Sequence, residues 1–177
     1  MIKLAFGGKK HSGKTTLAEY CADIHDLEPL SFADELKMNL VEIGVEPDRL
    51  FGKRDANSRA LMQAYGEVMR DQDPDYWLKI GVKKVKEFEQ ALPQGEGFTF
   101  DDMRYANEAE ALSKMGFTLI KVVREGYAHE EDNHPSEAGL PDEVYDHILV
   151  VKNKDLDSLY RMIDEIIEEE QEGPSNG

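Results

Sequence analysis

The chain has 177 residues, a length that fits one compact domain with a substantial core. Its formal net charge of -16 argues against broad, sequence-independent binding to DNA or RNA, which requires a clustered basic surface. No stretch approaches the roughly 18 uninterrupted apolar residues of a membrane span, and the N-terminus lacks the pattern of a signal peptide. Because Cys21 is the single cysteine, we expect no internal disulfide and a reducing, cytoplasmic setting.

The hydrophobic pattern predicts strands and helices that alternate along the chain. A buried strand at residues 2–6 leads into a glycine-rich loop, and a helix follows from Lys14 to about His25. Next come a short predicted strand at 30–33, a brief helix from Leu36 to Ile43, a helix capped by Ser58 that ends near Arg70, and a helix opened by Asp73-Pro74. The second half of the chain begins with the predicted strand FTFDD and a helix capped by Asn107. The strands FTLIKVV and HILVV follow, and a final amphipathic helix starts at Leu156. This alternation predicts a three-layer α/β/α fold with a mostly parallel sheet.

The loop after the first strand carries the strongest motif. Residues 8–15, GKKHSGKT, match the phosphate-binding pattern G-x-x-x-x-G-K-[ST]. The glycines allow successive backbone N–H groups to point inward, and the N-terminus of the next helix adds its positive end. Lys14 is expected to reach the β- and γ-phosphates, and Thr15 to place a hydroxyl on Mg²⁺. The residues expected to contact ATP are Gly8, His11, Ser12, Gly13, Lys14, Thr15 and Thr16.

Two other motifs are incomplete. Asn153-Lys154-Asp155 resembles the N-K-x-D guanine reader of GTPases, but its acid comes one place early, and we interpret it as a strand-to-helix turn. His129-Glu130 and His134 miss the H-E-x-x-H zinc spacing by one residue. Neither a GTPase nor a zinc site is therefore expected.

Charged residues at the predicted ends of strands and helices supply the remaining candidates. Asp101 and Asp102 end a predicted strand, so at least one should lie at the carboxyl edge of the sheet, where α/β proteins place ligands. Arg104 follows two residues later, and Arg70 and Arg124 end a helix and a strand. Phosphoryl transfer between two anions needs such positive groups and carboxylates, although surface salt bridges would also explain them.

With these residues identified, the sequence resembles the bacteriophage deoxynucleoside monophosphate kinases, a branch of the P-loop nucleoside monophosphate kinase superfamily. The resemblance covers most of the chain. The segments that carry it are GGKKHSGKTT, SFADELK, RALMQAYGEVMRDQDPDYW, DDMRYANEAEALSKMGF, VVRE and HPSE.

The resemblance implies transfer of the γ-phosphate of ATP, with Mg²⁺, to a deoxynucleoside 5′-monophosphate. It also implies a role for each matching residue: Lys10, Asp34 and Lys37 would face the acceptor, Arg70 and Arg104 would bind its phosphate, Asp102 would orient Mg²⁺, and Arg124 would open the lid and bring charge to the transferring group. Trp77, Asn107 and Glu108 match family positions as well, but core packing and helix capping explain them equally.

The implied organisation is one P-loop kinase domain over residues 1–170, with an acceptor-binding region at about 34–92, a mobile lid at about 124–143 and a disordered tail at 171–177.

There are two alternative functions: a kinase of another small metabolite, such as dephospho-coenzyme A, and a non-catalytic ATP-binding regulator. The sequence leaves base choice, sugar choice and a homodimer open. A phage-encoded protein would work in the host cytoplasm.

Overall fold

The computed structural model describes residues 1–52, 55–91, 97–126 and 139–172. The chain divides into two compact units. The first, which we call the sheet unit, comprises Met1–Leu30 and Leu92–Gly177, and the second, the helical unit, comprises Ser31–Ala91.

The sheet unit contains five parallel strands in the spatial order β2-β3-β1-β4-β5. The strands are β1 (Lys3–Gly7), β2 (Leu27–Leu30), β3 (Gly97–Phe100), β4 (Thr118–Glu125) and β5 (His147–Lys152). The predicted parallel sheet is therefore confirmed. Since β1 lies in the centre, the loop that follows it emerges at the middle of the carboxyl edge.

The two faces of the sheet bury different side chains. Leu4 and Phe6 of β1 pack in one cluster with residues of the helices α1 (Lys14–His25) and α7 (Leu156–Glu172). Phe98 and Phe100 pair with the β1 residues that point to the other face, and both rings pack against Phe117. Between Phe100 and Phe117 the chain forms helix α6 (Ala106–Lys114), which contacts β4. A 3₁₀ turn, Asp142–Val144, precedes β5.

The helical unit consists of α2 (Phe32–Glu42), α3 (Pro47–Phe51), α4 (Ala56–Gln72) and α5 (Tyr76–Ala91). Its core is formed by Leu36, Leu40, Leu50 and Trp77, because the apolar residues of α2 and α5 recur at helical spacing. The indole Nε1 of Trp77 donates a hydrogen bond to the carbonyl of Gly66 over 3.1 Å, so this buried ring has its polar group paired.

Four local predictions need correction. Helix α6 begins at Ala106 with Tyr105 as its cap, so Asn107 lies inside the helix and does not cap it. The strand expected at 30–33 is β2 at Leu27–Leu30, and Ser31 caps α2 by accepting a hydrogen bond from the N–H of Ala33. Helix α4 begins at Ala56, since Asp55 is its cap and accepts from the N–H of Ser58 over 2.7 Å. Within the connection predicted to be irregular, Pro47 opens α3.

Two further expectations concern residues that the structure covers only in part. Most of the predicted lid, residues 127–138, lies outside the described residues, as do His129, Glu130 and His134. The last helix continues through Glu172, and residues 173–177 of the predicted tail lie outside as well. The lid and the tail stay predictions. Across the ranges that are described, no helix combines the length and the apolar character needed to cross a membrane.

Candidate active site

The phosphate loop connects β1 to α1 through backbone conformations that few side chains tolerate. Gly8 and Gly13 have φ angles of 124° and 110°, and His11 between them has φ 63°. A Cβ at Gly8 would clash with the carbonyl oxygen of Val122, so this position requires glycine for space as well as for conformation. The loop thus has the glycine-dependent geometry expected of a backbone anion site.

Two polar side chains are buried inside this loop. Lys14 is 7% exposed, and its Nζ donates hydrogen bonds to the carbonyls of Gly8 (2.7 Å) and Lys9 (2.8 Å). The hydroxyl of Ser12 is buried without a hydrogen-bond partner among the described residues. A buried hydroxyl of this kind is costly unless a ligand or water satisfies it, and phosphate oxygens would do so.

A second contact joins the first turn of α1 to the end of β3. The Thr15 hydroxyl donates a hydrogen bond to Oδ2 of Asp101 over 2.8 Å. Thr15 is one of the residues expected to contact ATP and Mg²⁺. Asp101 is the immediate neighbour of Asp102, which is expected to orient Mg²⁺. A hydroxyl and a carboxylate side by side are the oxygen ligands that Mg²⁺ prefers, so the residues present fit the metal that the motif implies. Asp101 therefore joins the candidate metal-binding residues.

Arg124, at the end of β4, lies against the phosphate loop. Its Nη1 donates to the carbonyl of His11 over 3.1 Å, and its Nε donates to the side-chain oxygen of Asn153 over 2.9 Å, with Nη2 bonded to the same atom. Asn153 therefore holds the guanidinium in a fixed orientation beside the loop. The sequence motifs do not indicate a role for Asn153 beside Arg124; its position directly after a buried strand is the one signal in the sequence that points to it.

A cavity of about 430 Å³ adjoins the loop on this side. Its walls come from the loop, from the start of α1, from Arg124 and from the turn between β5 and α7. Asp155 in that turn caps α7, because the hydroxyl and the N–H of Ser158 donate to its carboxylate and lower its pKa. The incomplete N-K-x-D motif is thus the predicted strand-to-helix turn, and it forms one wall of the cavity. The volume is in the range of sites for nucleotides and similar ligands.

The segment between β3 and α6 holds Asp102 and Arg104. Oε2 of Glu108 accepts hydrogen bonds from the backbone N–H groups of Arg104 (2.8 Å) and Tyr105 (3.0 Å). Glu108 is 3% exposed, and Met103, which lies in the segment itself, is 1% exposed. These contacts fix the backbone of the segment at the carboxyl edge of the sheet. The roles predicted for Asp102 and Arg104 themselves stay predictions, as does that of Lys10 in the loop.

Gly7, the last residue of β1 before the phosphate loop, lies against the ring of Tyr145. A Cβ at Gly7 would clash with Oη of Tyr145 and would lie 2.6 Å from its Cε1. Tyr145 is 9% exposed, burial raises the pKa of its phenol, and Nζ of Lys121 lies 5.7 Å from the ring centroid. Lys121 pairs in turn with Asp142. The ring therefore closes the space beside the last residue of β1.

The other predicted acceptor residues lie in the helical unit. Lys37 donates to Oδ1 of Asp34 over 3.0 Å, one turn apart on α2. Arg70 lies in the last turn of α4, and its Nη1 would be 3.2 Å from a Cβ at Gly66. The structure thus brings Asp34 and Lys37 into one ion pair and places Arg70 on another helix of the same unit.

Two solved structures share the fold of this chain over almost its whole length. The chain superposes on shikimate kinase from Bacteroides thetaiotaomicron with a TM-score of 0.51 and 10% identity, covering 95% of this chain and 99% of that one. A protein from Chloroflexus aurantiacus named as a kinase gives a TM-score of 0.54 at 14% identity, with 94% and 96% coverage. These similarities define the fold. Together with the glycine loop, Lys14 and Thr15, they define the class as a P-loop kinase.

Sequence relatives define the family within this class. The sequence model of deoxynucleotide monophosphate kinases matches residues 49–163, well over half of the chain. The chain belongs to the deoxynucleotide monophosphate kinase family, so the resemblance described above is confirmed.

Two viral relatives illustrate the range of the family. An Acanthamoeba polyphaga mimivirus protein, whose name assigns it to deoxynucleotide monophosphate kinases, is 28% identical over 92% of this chain and 94% of its own length. The deoxynucleotide monophosphate kinase of Escherichia phage RB69 is 34% identical over 62% of this chain, which spans only 44% of the phage protein.

Proposed function

We propose that this protein transfers the γ-phosphate of ATP to the 5′-phosphate of a deoxynucleoside monophosphate, which yields ADP and a deoxynucleoside diphosphate. The observation that carries this proposal is the contact between Thr15 and Asp101 over 2.8 Å beside the glycine loop. These two residues are 86 positions apart in sequence, yet their oxygen atoms lie side by side at the loop where the motif requires ligands for Mg²⁺. Family membership supplies the class of the acceptor.

The donor nucleotide would bind along the loop and the adjoining cavity. Backbone N–H groups, Lys14 and the unpartnered hydroxyl of Ser12 would receive the phosphates. Lys14 would exchange its two carbonyl partners for phosphate oxygens, which are stronger acceptors because they are charged. The nucleoside would occupy the cavity between Arg124 and the turn at Asp155. Arg124, oriented by Asn153, would then contact the donor directly.

Thr15 and Asp101 would hold Mg²⁺, with Asp102 as the neighbouring candidate. These residues would hold the ion where its positive charge would offset the charge that develops during phosphoryl transfer. The carboxylate of Asp101 also orients the Thr15 hydroxyl, because it accepts the hydroxyl hydrogen and leaves the oxygen lone pairs for a ligand.

The acceptor would be bound by cations. Lys10, Lys37, Arg70 and Arg104 are the proposed contacts, with Asp34 orienting Lys37 through their ion pair. Four positive groups would offset the repulsion between the acceptor phosphate and the incoming phosphoryl group. Catalysis would then come from positioning and charge neutralisation in a direct in-line displacement, with no covalent enzyme intermediate.

The test is ADP production from ATP and Mg²⁺ with each deoxyribo- and ribonucleoside monophosphate in turn. Dephospho-coenzyme A and a reaction without acceptor serve as controls. Lys14→Ala should lower turnover by about a thousandfold or more because it removes the cation on the transferring phosphates, and its melting temperature shows whether the fold is retained. Acceptor-dependent turnover with deoxynucleotides is the expected result. ATP binding without turnover on any acceptor would overturn the proposal and favour the regulator.

A further inference from the structure

Phe51 presents an aromatic ring to solvent at the end of α3. Its side chain is 52% exposed, whereas Leu50 beside it is 0% exposed and fills the core of the helical unit. The following Gly52 donates its N–H to the carbonyl of Asp48 over 3.1 Å, and a Cβ at Gly52 would come within 2.5 Å of that oxygen. The buried leucine and the tight end of the helix therefore fix Phe51 on the outer side.

The exposed ring lies next to a charged side chain. Nζ of Lys37 lies 5.2 Å from the ring centroid, within the distance of a cation–π contact, and 3.0 Å from Oδ1 of Asp34. The Lys37 side chain is only 14% exposed, so its ammonium group is held between the ring and the carboxylate. An aromatic surface, a fixed cation and a carboxylate thus occupy one patch, which we call the Phe51 patch (Phe51, Lys37 and Asp34).

An exposed aromatic side chain is uncommon in the described part of the chain. Single exposed aliphatic side chains are normal on protein surfaces and need no explanation. Among the described Phe, Tyr and Trp residues, however, Phe51 alone is exposed, and the others are buried or half-buried. A nucleoside monophosphate has the complementary chemistry, because it joins a flat base to a sugar with hydroxyl groups and to an anionic phosphate.

We propose that the Phe51 ring is the stacking surface for the base of the acceptor nucleotide, with Lys37 and Asp34 contacting the more polar part of the same molecule. The inference rests on the proposed function for the identity of the ligand. Stacking requires only a π-face, so Phe51 supports binding of every base. Purines cover more of the ring than pyrimidines do, so the contribution is larger for purine acceptors.

The kinetic test compares Phe51→Ala with Phe51→Tyr. Phe51→Ala should raise the KM of a purine deoxynucleoside monophosphate about tenfold and that of a pyrimidine less, while the KM of ATP stays unchanged. Phe51→Tyr keeps the ring and should restore the wild-type values. Val68→Ala is the matched control, since Val68 is also 52% exposed in the helical unit, and its kinetics should equal those of the wild type. Melting temperatures verify that each variant is folded.

A binding test works without turnover. Phe51→Trp introduces an exposed indole, whose fluorescence should be quenched when a deoxynucleoside monophosphate is added and not when deoxyribose 5-phosphate, which lacks a base, is added. The wild type, whose single tryptophan is the buried Trp77, is the control for a fluorescence change that does not come from position 51.

The two tests separate the inference from the proposed function. Unchanged KM values in Phe51→Ala, a change confined to ATP, or no quenching by deoxynucleotides in an active Phe51→Trp protein would overturn the inference and leave the function standing. Quenching by deoxynucleotides in a protein that turns over none of them would support the patch and overturn the kinase proposal.

Discussion

The hydroxyl of Thr15 donates a hydrogen bond to Asp101 over 2.8 Å and so links the first turn of α1 to the carboxyl end of β3. The two elements are separated by the whole helical unit in sequence. Because β1 and β3 are parallel neighbours, the end of β3 meets the loop that follows β1. The contact is thus a product of strand order, and it places a carboxylate beside the phosphate loop.

The first prediction concerns this carboxylate. Asp101→Asn keeps an oxygen that can accept from Thr15 but removes the negative charge, so the fold should persist while the Mg²⁺ requirement changes. We expect the Mg²⁺ concentration for half-maximal activity to rise about 10- to 100-fold. A Mg²⁺ titration of turnover measures the effect, with Asp102→Asn as the comparison. If only Asp102→Asn shifts the titration, Asp102 is the metal-binding carboxylate and our assignment of Asp101 is wrong.

A second prediction concerns the side chain that orients Arg124. Asn153→Ala removes the acceptor of two guanidinium hydrogen bonds, so Arg124 loses its fixed orientation beside the loop. The KM of ATP should rise about tenfold, and the KM of the deoxynucleotide should not change. Lys152→Ala, one residue earlier and exposed, is the control and should match the wild type. An increase in the KM of the acceptor alone would show that Arg124 serves the other substrate.

The contact between Gly7 and Tyr145 leads to a third prediction, about stability. Gly7→Ala would place a methyl group in the space of the buried ring, which should lower the free energy of unfolding by about 1–3 kcal/mol. In the Tyr145→Ala background the same substitution should cost much less, because the ring is absent. Urea unfolding of the four proteins in this cycle measures the coupling. Additive effects would mean that Tyr145 moves aside without cost.

The fourth prediction concerns pH and Cys21. Burial raises the pKa of this thiol from its ordinary value of 9.0 to about 12. Between these values the unfolded chain releases a proton that the native protein retains, so stability decreases as pH rises. The free energy of unfolding should fall by about 1.4 kcal/mol for each pH unit above 9 on account of this group.

Urea unfolding at pH 8 to 10.5 tests this dependence, with Cys21→Ala as the control. The remaining titratable groups are the same in both proteins, so the wild type should show the steeper decline. Parallel pH profiles for the two proteins would show that the thiol ionises without penalty in the native state.

The sequence predicted the parts of the fold that depend on local pattern. The bounds of α1, Lys14 to His25, agree with the prediction because a glycine loop and a regular apolar face define them. The strands β3, β4 and β5 were found for a similar reason, since short apolar runs between polar turns are typical of buried strands. The family was predicted correctly from the order and spacing of several motifs.

What the sequence could not predict depends on distant contacts. Helix α3 has five residues and is held by Leu50 in a core formed mainly by other helices, so no periodicity could reveal it. Asn153 contacts the guanidinium of Arg124, whose side chain comes from a different strand. The choice between Asp101 and Asp102 at Thr15 required the register of β3, which adjacent carboxylates in a sequence do not disclose.

The central position of β1 also has a consequence for synthesis of the chain. Its backbone partners are β3 and β4, with Lys3 opposite Phe98 and Leu4 opposite Thr118. The strand that leads to the phosphate loop, which ends at Gly7, therefore has no backbone neighbour until β3, which begins at Gly97, has left the ribosome, and it gains its second neighbour only with β4. The core of the helical unit is formed by residues within 31–91, so this unit can become compact earlier. The nascent protein should thus acquire its ability to hold ATP late, when β4 closes the sheet around the first strand made.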